Sequence, residues 1–424
     1  MSHRNLKISL ALATALLALP VVASAQTSRV EGMNMLGDYI KDYSGIYTYV
    51  SEVANVGNLV YGELGNFTGP GGPPFDRSVG AVLGNLNDGG WGTFAIHLRE
   101  WTPALGQGTF LANPNPGVAG LDPNSNQWES FDLMWAKKFG TTSFGLRLNR
   151  SFGKLEGDNG SLGPFSTLEF DFTGGDPNLN RNILGLGAGV GFELNSNTTA
   201  QLSVLYQNRT FELTDTAGAP VPVGFSDDGG TTFQIAGRMF WQWQPDVMVT
   251  PVFKYQTYDL SQVAPVGSVP ATFDNSMSCW QIGVAGNWTL GQNDLFVLGL
   301  AFAQNKIEQE QDLFGAGFDN GTITETFMPI VFAGLETHVN SWLTLRFGAN
   351  KGAWHSIKFE DEATPQTLEQ SDSPFSMSLG AGVKLGPLQL DGVLNDNIAQ
   401  NGLYFISGSS NTPLASKVTA TYSF

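Results

Sequence analysis

Lys417-Val418-Thr419-Ala420-Thr421-Tyr422-Ser423-Phe424 is the stretch from which the rest of the chain can be read. Val418, Ala420, Tyr422 and Phe424 share one parity, and Lys417, Thr419, Thr421 and Ser423 share the other. A strand built from these residues has one apolar face and one polar face. It stops on an aromatic residue, and an exposed terminal Phe gains a soluble protein little.

This terminal pattern resembles the closing strand of a Gram-negative outer-membrane β-barrel, in which Tyr422 and Phe424 would be the signal read by the barrel assembly machinery. The other end of the chain points the same way. Arg4 and Lys7 precede an apolar run over 8–22, and Ala23-Ser24-Ala25 offers a small-residue cleavage site, so 1–25 reads as a secretory signal peptide. Pro20 interrupts the run, which is shorter than the roughly 20 residues of a spanning helix. No later stretch reads as such a helix, which leaves an exported soluble protein or a closed barrel.

Composition favours the barrel. With 52 Gly, 10 Trp, 29 Phe and only 14% charged residues, the chain suits aromatic strands better than helices. The formal charge of −17 becomes more negative once Arg4 and Lys7 are removed, which argues against a nucleic-acid partner. Acidic loops facing lipopolysaccharide and its divalent cations account for it. Cys279 is the only cysteine, so an intrachain disulfide and a thiolate-based metal site are excluded.

Residues 26–56 carry no clean period of two and mix Gly, charges and apolar residues, as a compact plug or short helices would. Arg29, the Gly32-Met33 pair, Asp42-x-Ser44-x-Ile46-Tyr47 and Val53-Ala54 resemble the amino-terminal hatch of the FadL-type outer-membrane transporters of hydrophobic compounds. The resemblance covers about thirty residues. In that family Asn-Pro-Ala follows the Ile-Tyr closely, whereas this chain reads Tyr49-Val50-Ser51. The resemblance implies a barrel with a luminal hatch that passes small, apolar molecules.

From 57 to 424 the chain reads as strands joined by alternately short and long connections. About sixteen strands are expected, at 58–64, 78–86, 91–101, 128–137, 142–152, 182–194, 200–213, 232–243, 247–258, 277–290, 295–306, 322–338, 342–359, 374–385, 388–394 and the terminus. The count is even, as a single-chain bacterial barrel requires. The FadL-type resemblance implies fourteen, which stays the alternative. Asn87-Asp88-Gly89-Gly90, Gln244-Pro245-Asp246 and Gly386-Pro387 are among the tight turns, and 102–127, 153–181, 214–230, 261–276, 307–321, 360–373 and 395–412 are long connections. Short turns would face the periplasm and long loops the exterior. The fold class is therefore an all-β transmembrane antiparallel up-and-down barrel with a luminal amino-terminal segment.

Parity separates the lipid face from the lumen. Phe94, Ile96 and Leu98 alternate with Ala95, His97 and Arg99, and Phe144, Leu146 and Leu148 alternate with Gly145, Arg147 and Asn149. Arginine at Leu146 should therefore be costly, with Gly145 and Asn149 more tolerant of polar exchange. Trp280 and Trp288 share a parity eight residues apart, as residues of two interfacial girdles would, and Trp135, Trp241, Trp243 and Trp342 crowd the predicted periplasmic turns.

The inward parity collects His97, Arg99, Arg147, Arg209, Arg238, Lys254, Arg346, Lys384 and Lys417 against Asp132, Glu193, Glu336 and Asp391. The amino-terminal segment carries Glu31, Asp38, Asp42 and Glu52 against Arg29 and Lys41, so the basic lumen is expected to clasp an acidic plug. Gly185-x-Gly187-x-Gly189-x-Gly191 lacks the offset of a nucleotide loop and reads as inward glycines where another backbone comes close, with Gly380 and Gly382 a shorter row of the same kind. An enzyme is not expected. His97, His338 and His355, the three histidines left after the signal peptide, form no recognisable Ser/His pattern, and the acidic runs lack an EF-hand register. No cofactor and no metal is expected. The partners expected are outer-membrane lipid, lipopolysaccharide, the assembly machinery and a small-molecule substrate. Two further readings stay open: a surface-interaction barrel that conducts little, and a general porin, which would need no hatch.

Overall fold

The computed structural model describes residues 27–65, 76–84, 90–99, 130–156, 177–215, 223–227, 230–266, 269–291, 293–312, 321–361, 366–394 and 415–424. The expected signal peptide lies outside them, as do most of the long connections. The described strands are β1 (Leu59–Gly65), β2 (Asp76–Leu83), β3 (Thr93–Arg99), β4 (Ser130–Phe139), β5 (Thr142–Glu156), β6 (Pro177–Asn195), β7 (Thr198–Asp215), β8 (Val223–Asp227), β9 (Gly230–Gln244) and β10 (Val247–Val266). They continue with β11 (Val269–Leu290), β12 (Asp294–Asp312), β13 (Gly321–His338), β14 (Leu343–Gly352), β15 (His355–Asp361), β16 (Gln366–Asp372), β17 (Phe375–Leu385), β18 (Leu388–Leu394) and β19 (Ala415–Ser423).

All belong to one antiparallel sheet that closes where β1 pairs β19, with Val60 opposite Tyr422 and Leu64 opposite Val418. Closure removes the two edges that an open sheet would expose to lipid. Three strands add no position to the ring. β8 pads the outer ends of β7 and β10, while β15 and β16 continue β14 and β17 beyond a break. Sixteen strands therefore complete the ring among the described residues, in agreement with the count read from alternation.

The wall faces as parity requires. On β3 the burial alternates residue by residue, with Phe94, Ile96 and Leu98 exposed and Ala95, His97 and Arg99 buried. Leu146, Leu202, Ile282, Leu300 and Phe347 carry the same exposed apolar face around the ring. So many exposed large hydrophobics are explained by a lipid solvent rather than by water. Trp280 and Trp288 lie on this outer parity of β11. Trp241, Trp243 and Trp342 are exposed beside the tight turns.

The strand ends differ from the sequence reading. The strand expected at 342–359 breaks after Gly352 and resumes at His355. The connection expected at 261–276 is mostly strand, because β10 and β11 run for 20 and 22 residues and pair out to Val266 and Val269. Twenty-two residues span roughly 70 Å at about 3.3 Å each, about twice what a ~25 Å apolar band needs at a tilt near 40°. The excess stands beyond the membrane, where hydrophobic alternation fades and the sequence signal fades with it. The connection expected at 360–373 likewise contains β16.

Inside the ring lies the segment 27–56. It forms one helical turn, α1 (Ser28–Glu31), and three 3-10 turns at Gly37–Tyr39, Tyr43–Tyr47 and Val50–Asn55. Asp42 caps the second of these by accepting from the backbone N–H of Ser44 at 2.9 Å. Two apolar clusters join segment and wall. Val30, Met33, Met35, Tyr39 and Ile40 pack on Val252, Ala285, Val297, Ala301 and Phe332. Tyr43, Ile46, Tyr47, Val50 and Val53 pack on Leu59, Val82, Ala95, Met134 and Ala136.

Candidate functional site: the lumen and the segment within it

The luminal cations sit on separate strands and meet the segment at separate points. Lys417 of β19 reaches Glu31 at 2.7 Å. Lys254 of β10 lies 2.5 Å from Asp38, with both side chains almost fully buried. Arg238 of β9 stands 3.7 Å from Glu52, stacks 4.1 Å over the Tyr49 ring and donates to Gln201 at 2.6 Å. Gln201 in turn donates to Glu52. An acidic segment in a basic lumen is thus realised at Glu31, Asp38 and Glu52.

Asp42 departs from that pattern. It pairs with Arg29 of its own segment at 2.9 Å, and Arg29 also holds Glu336 of β13 through two bonds of 2.8 Å. Glu336 accepts from Arg346 at 2.6 Å, and Arg346 continues to Asp391 at 2.5 Å. A line of alternating charge therefore runs Asp42, Arg29, Glu336, Arg346, Asp391 from segment to wall. Burial pushes the Asp42 carboxyl above its ordinary range, while Arg29 and the two hydrogen bonds from Ser44 pull it back.

Arg99 and Arg147 do not meet a segment carboxylate. Both are held by Asp132 of β4, which also accepts from Asn149 at 3.0 Å. They clasp Tyr47 instead: Arg147 donates to its carbonyl at 2.6 Å, and Arg99 lies 4.3 Å over its ring. The Tyr47 hydroxyl is bonded to that of Tyr61 at 2.9 Å, and Tyr61 to His97 Nδ1 at 2.9 Å. His97 is thus part of a buried aromatic latch rather than a free luminal base. Glu193 keeps its inward parity at the turn end, where it is exposed, borders a luminal hollow and pairs with Lys138, and Lys384 is exposed at the same end. The Arg209 side chain lies outside the described residues, and its backbone pairs Ile183 and Gly230.

Glycine marks where the segment touches the wall. A Cβ on Gly189 would meet Val50 at 3.0 Å, and one on Gly191 would meet the Ser51 hydroxyl at 3.4 Å. Gly380 and Gly32 face each other, each with the other's Cα 3.0 Å from its own missing Cβ. Segment backbone thus comes close at Gly189, where a Cβ would lie 3.3 Å from the Ser51 N, and at Gly380, while Gly191 meets a segment side chain. Gly185 and Gly187 meet only atoms of the wall itself. Sequence reading missed Gly145, where a Cβ would lie 2.6 Å from the Val50 carbonyl, and Gly348, where it would overlap the carbonyl of Met33. Neither sits in a glycine row, so no local pattern exposed them. Nor is Asn149 free for exchange, since it bridges Asp132 and Gln207.

Two of the hollows among the described residues bear on the lumen. One of about 510 Å³ lies at the turn end, between Arg29, Asp42, Tyr43 and Glu52 of the segment and Gln201, Phe240 and Phe424 of the wall. The other, about 810 Å³, lies at the outer ends of β1 to β5. There the outward residues Leu64, Val79, Leu98 and Phe152 adjoin the inward residues Glu63, Arg99 and Ser130.

Fold and lumen together define a closed antiparallel membrane β-barrel with its own amino-terminal segment folded inside it. No family model matches the chain, and no curated protein matches it. Among solved structures it is similar to the Ralstonia pickettii toluene transporter TbuX, at 12% identity over 95% of this chain and 99% of that one, with a TM-score of 0.38. It is similar to the Pseudomonas putida toluene transporter TodX at 11% identity, over 90% and 92% of the two chains, with a TM-score of 0.37. The ferric citrate transporter FecA matches at 10% identity over 79% of this chain and 58% of that one, with a TM-score of 0.44.

Proposed function

We propose that this chain is an outer-membrane channel or transporter for small, apolar molecules, and that residues 27–56 are a plug whose displacement opens the lumen. One observation carries the reading. The segment is tied to the ring at widely separated strands, through Lys417, Glu336, Lys254, Arg238 and Arg147, so it crosses the bore instead of lining one side. A barrel of this strand number is wide enough for an aqueous channel unless something fills it. The larger hollow supports the apolar cargo, because lipid-facing and luminal residues adjoin there. The hatch-like residues Asp42, Ser44, Ile46 and Tyr47 support the same class. In this reading the exposed apolar belt meets outer-membrane lipid, the outer loops meet lipopolysaccharide, and the strand ending in Tyr422 and Phe424 is read by the assembly machinery.

Deletion of residues 27–56 tests it. The truncated barrel should still fold, and its single-channel conductance and uptake of small solutes should rise. A truncated barrel that folds and conducts no more than the intact protein would leave a surface-interaction role as the better account.

A further inference from the structure

At the end of the barrel carrying the long connections, the wall reverses its polarity. On β12 and β15 the outer parity becomes charged, with Lys306 bonded to Glu308, and Lys358 to Glu360 at 2.6 Å, and between them β13 presents Thr322 and Thr324. The inner parity becomes apolar: Ile307, Ile323 and Phe359 lie opposite one another in register. Ile357 and Phe359 stay 39% and 38% exposed toward the lumen, so the apolar face is open.

At the foot of this face stands a cluster outside the sites described above. Phe327 packs on the apolar cluster that joins wall and luminal segment, and the His355 ring stacks on Phe327 at 4.1 Å between centroids. His355 Nε2 is 3.0 Å from Glu325 Oε1, and Nδ1 is 2.6 Å from Asp372 Oδ1. Both ring nitrogens thus face carboxylate oxygens, and with two acids around one ring the cluster is formally acidic. Lys351 does not cancel that acidity, since its amine is exposed and bonded to the Ser373 carbonyl. Lys254 is engaged with Asp38, and Lys306 and Lys358 lie on the opposite face of the wall.

Asn305 supplies the second observation. It lies directly across from Glu325 on the inner face, only 1% exposed, and neither its side-chain oxygen nor its nitrogen has a hydrogen-bond partner. Buried polar groups are normally paired, so a buried unpaired amide points to an occupant beside it.

We propose that Glu325, Asp372 and Asn305 form a binding site for small amphiphilic cations, molecules with a protonated amine on an apolar or aromatic body. The amine donates to the carboxylates and to the Asn305 oxygen. The apolar body lies on Ile323, Ile357 and Phe359. The site deepens the transport reading by naming a class of cargo, and rests on that reading for the direction of travel. It stands on the floor of the outer vestibule, where a molecule arriving from the loop side first meets the luminal segment.

Titration calorimetry on the full mature barrel in detergent tests the site with benzylamine, benzyl alcohol and phenylacetate as probes. Benzylamine should bind, with the other two at least ~10-fold weaker. Glu325→Gln and Asp372→Asn should each weaken benzylamine about 10-fold or more, in line with the loss of one charge-assisted hydrogen bond. Asn305→Leu keeps the volume, removes the unpaired amide, and should weaken binding in a barrel that still shows heat-modifiable migration; it serves if the carboxylate variants do not fold. Equal binding of all three probes, tighter binding of phenylacetate, or benzylamine binding untouched by the variants would overturn the proposal. Calcium binding with the same variant sensitivity, in the absence of benzylamine binding, would overturn it in favour of a metal site. Because the readout is binding, a barrel that binds benzylamine yet conducts nothing after plug deletion refutes only the transport reading.

Discussion

The carbonyl of Met33 occupies the place that a Cβ on Gly348 would take. The segment can lie against β14 only because that position has no side chain. Gly348→Val should therefore push the segment off the wall, at a cost of roughly 1–3 kcal/mol for the overpacked contact. The barrel should still form, since Gly348 keeps its ladder opposite Gly334 and Ser378. Limited proteolysis should cut 27–56 faster in the variant than in the parent; equal rates would show that the wall yields instead.

Lys254 and Asp38 form a buried ion pair between wall and segment, each side chain at most 2% exposed. Removing one partner leaves an uncompensated charge, so Lys254→Met should loosen the segment by about 3–5 kcal/mol, and adding Asp38→Asn should recover much of that loss. Channel noise and protease sensitivity would report it. Raised salt should change the parent little, because buried pairs are poorly screened.

Reversal at Arg238 and at Arg147 should differ in kind. Arg238→Glu sets a like charge against Glu52 and should release the middle of the segment. Arg147→Glu sets one against Asp132 inside the wall and should impair folding of β4 and β5 first. Heat-modifiable migration on gels separates the two, with Arg238→Glu keeping the folded band.

Leu146→Arg places a charge on the lipid face and should cost about 2–4 kcal/mol if the residue lies near the bilayer midplane. Folding titrations in lipid vesicles measure this. The neighbouring inward positions are not tolerant controls, since Gly145 abuts Val50 and Asn149 bridges Asp132 and Gln207. The exposed outward residue Tyr206→Phe is the better control and should be near neutral.

Phe424 is exposed, its ring 6.4 Å from that of Tyr422, and its N–H donates to the Asn58 carbonyl across the closing seam at 3.2 Å. Deleting it should lower the amount of folded barrel in the membrane. Normal levels of a heat-modifiable variant would show that neither closure nor assembly depends on it.

By itself the sequence determined which strands exist in the membrane zone and which face of each meets lipid. Those properties are local: parity needs only the residue types along one strand, and β3, β5 and β19 show it without reference to any neighbour. It also marked 27–56 as a segment that is not strand, because that stretch lacks the period. Only the tertiary structure decided the partner of each charge. Asp42 turns to Arg29 rather than to the wall, Arg147 is claimed by Asp132 before it reaches the segment, and His355 meets Glu325 and Asp372 from two other strands. Such pairings depend on the stagger of strands around the ring and on the path of the segment across it. Both are set by closure of the whole barrel, and residues far apart in the chain share a height in the lumen only once the last strand has met the first.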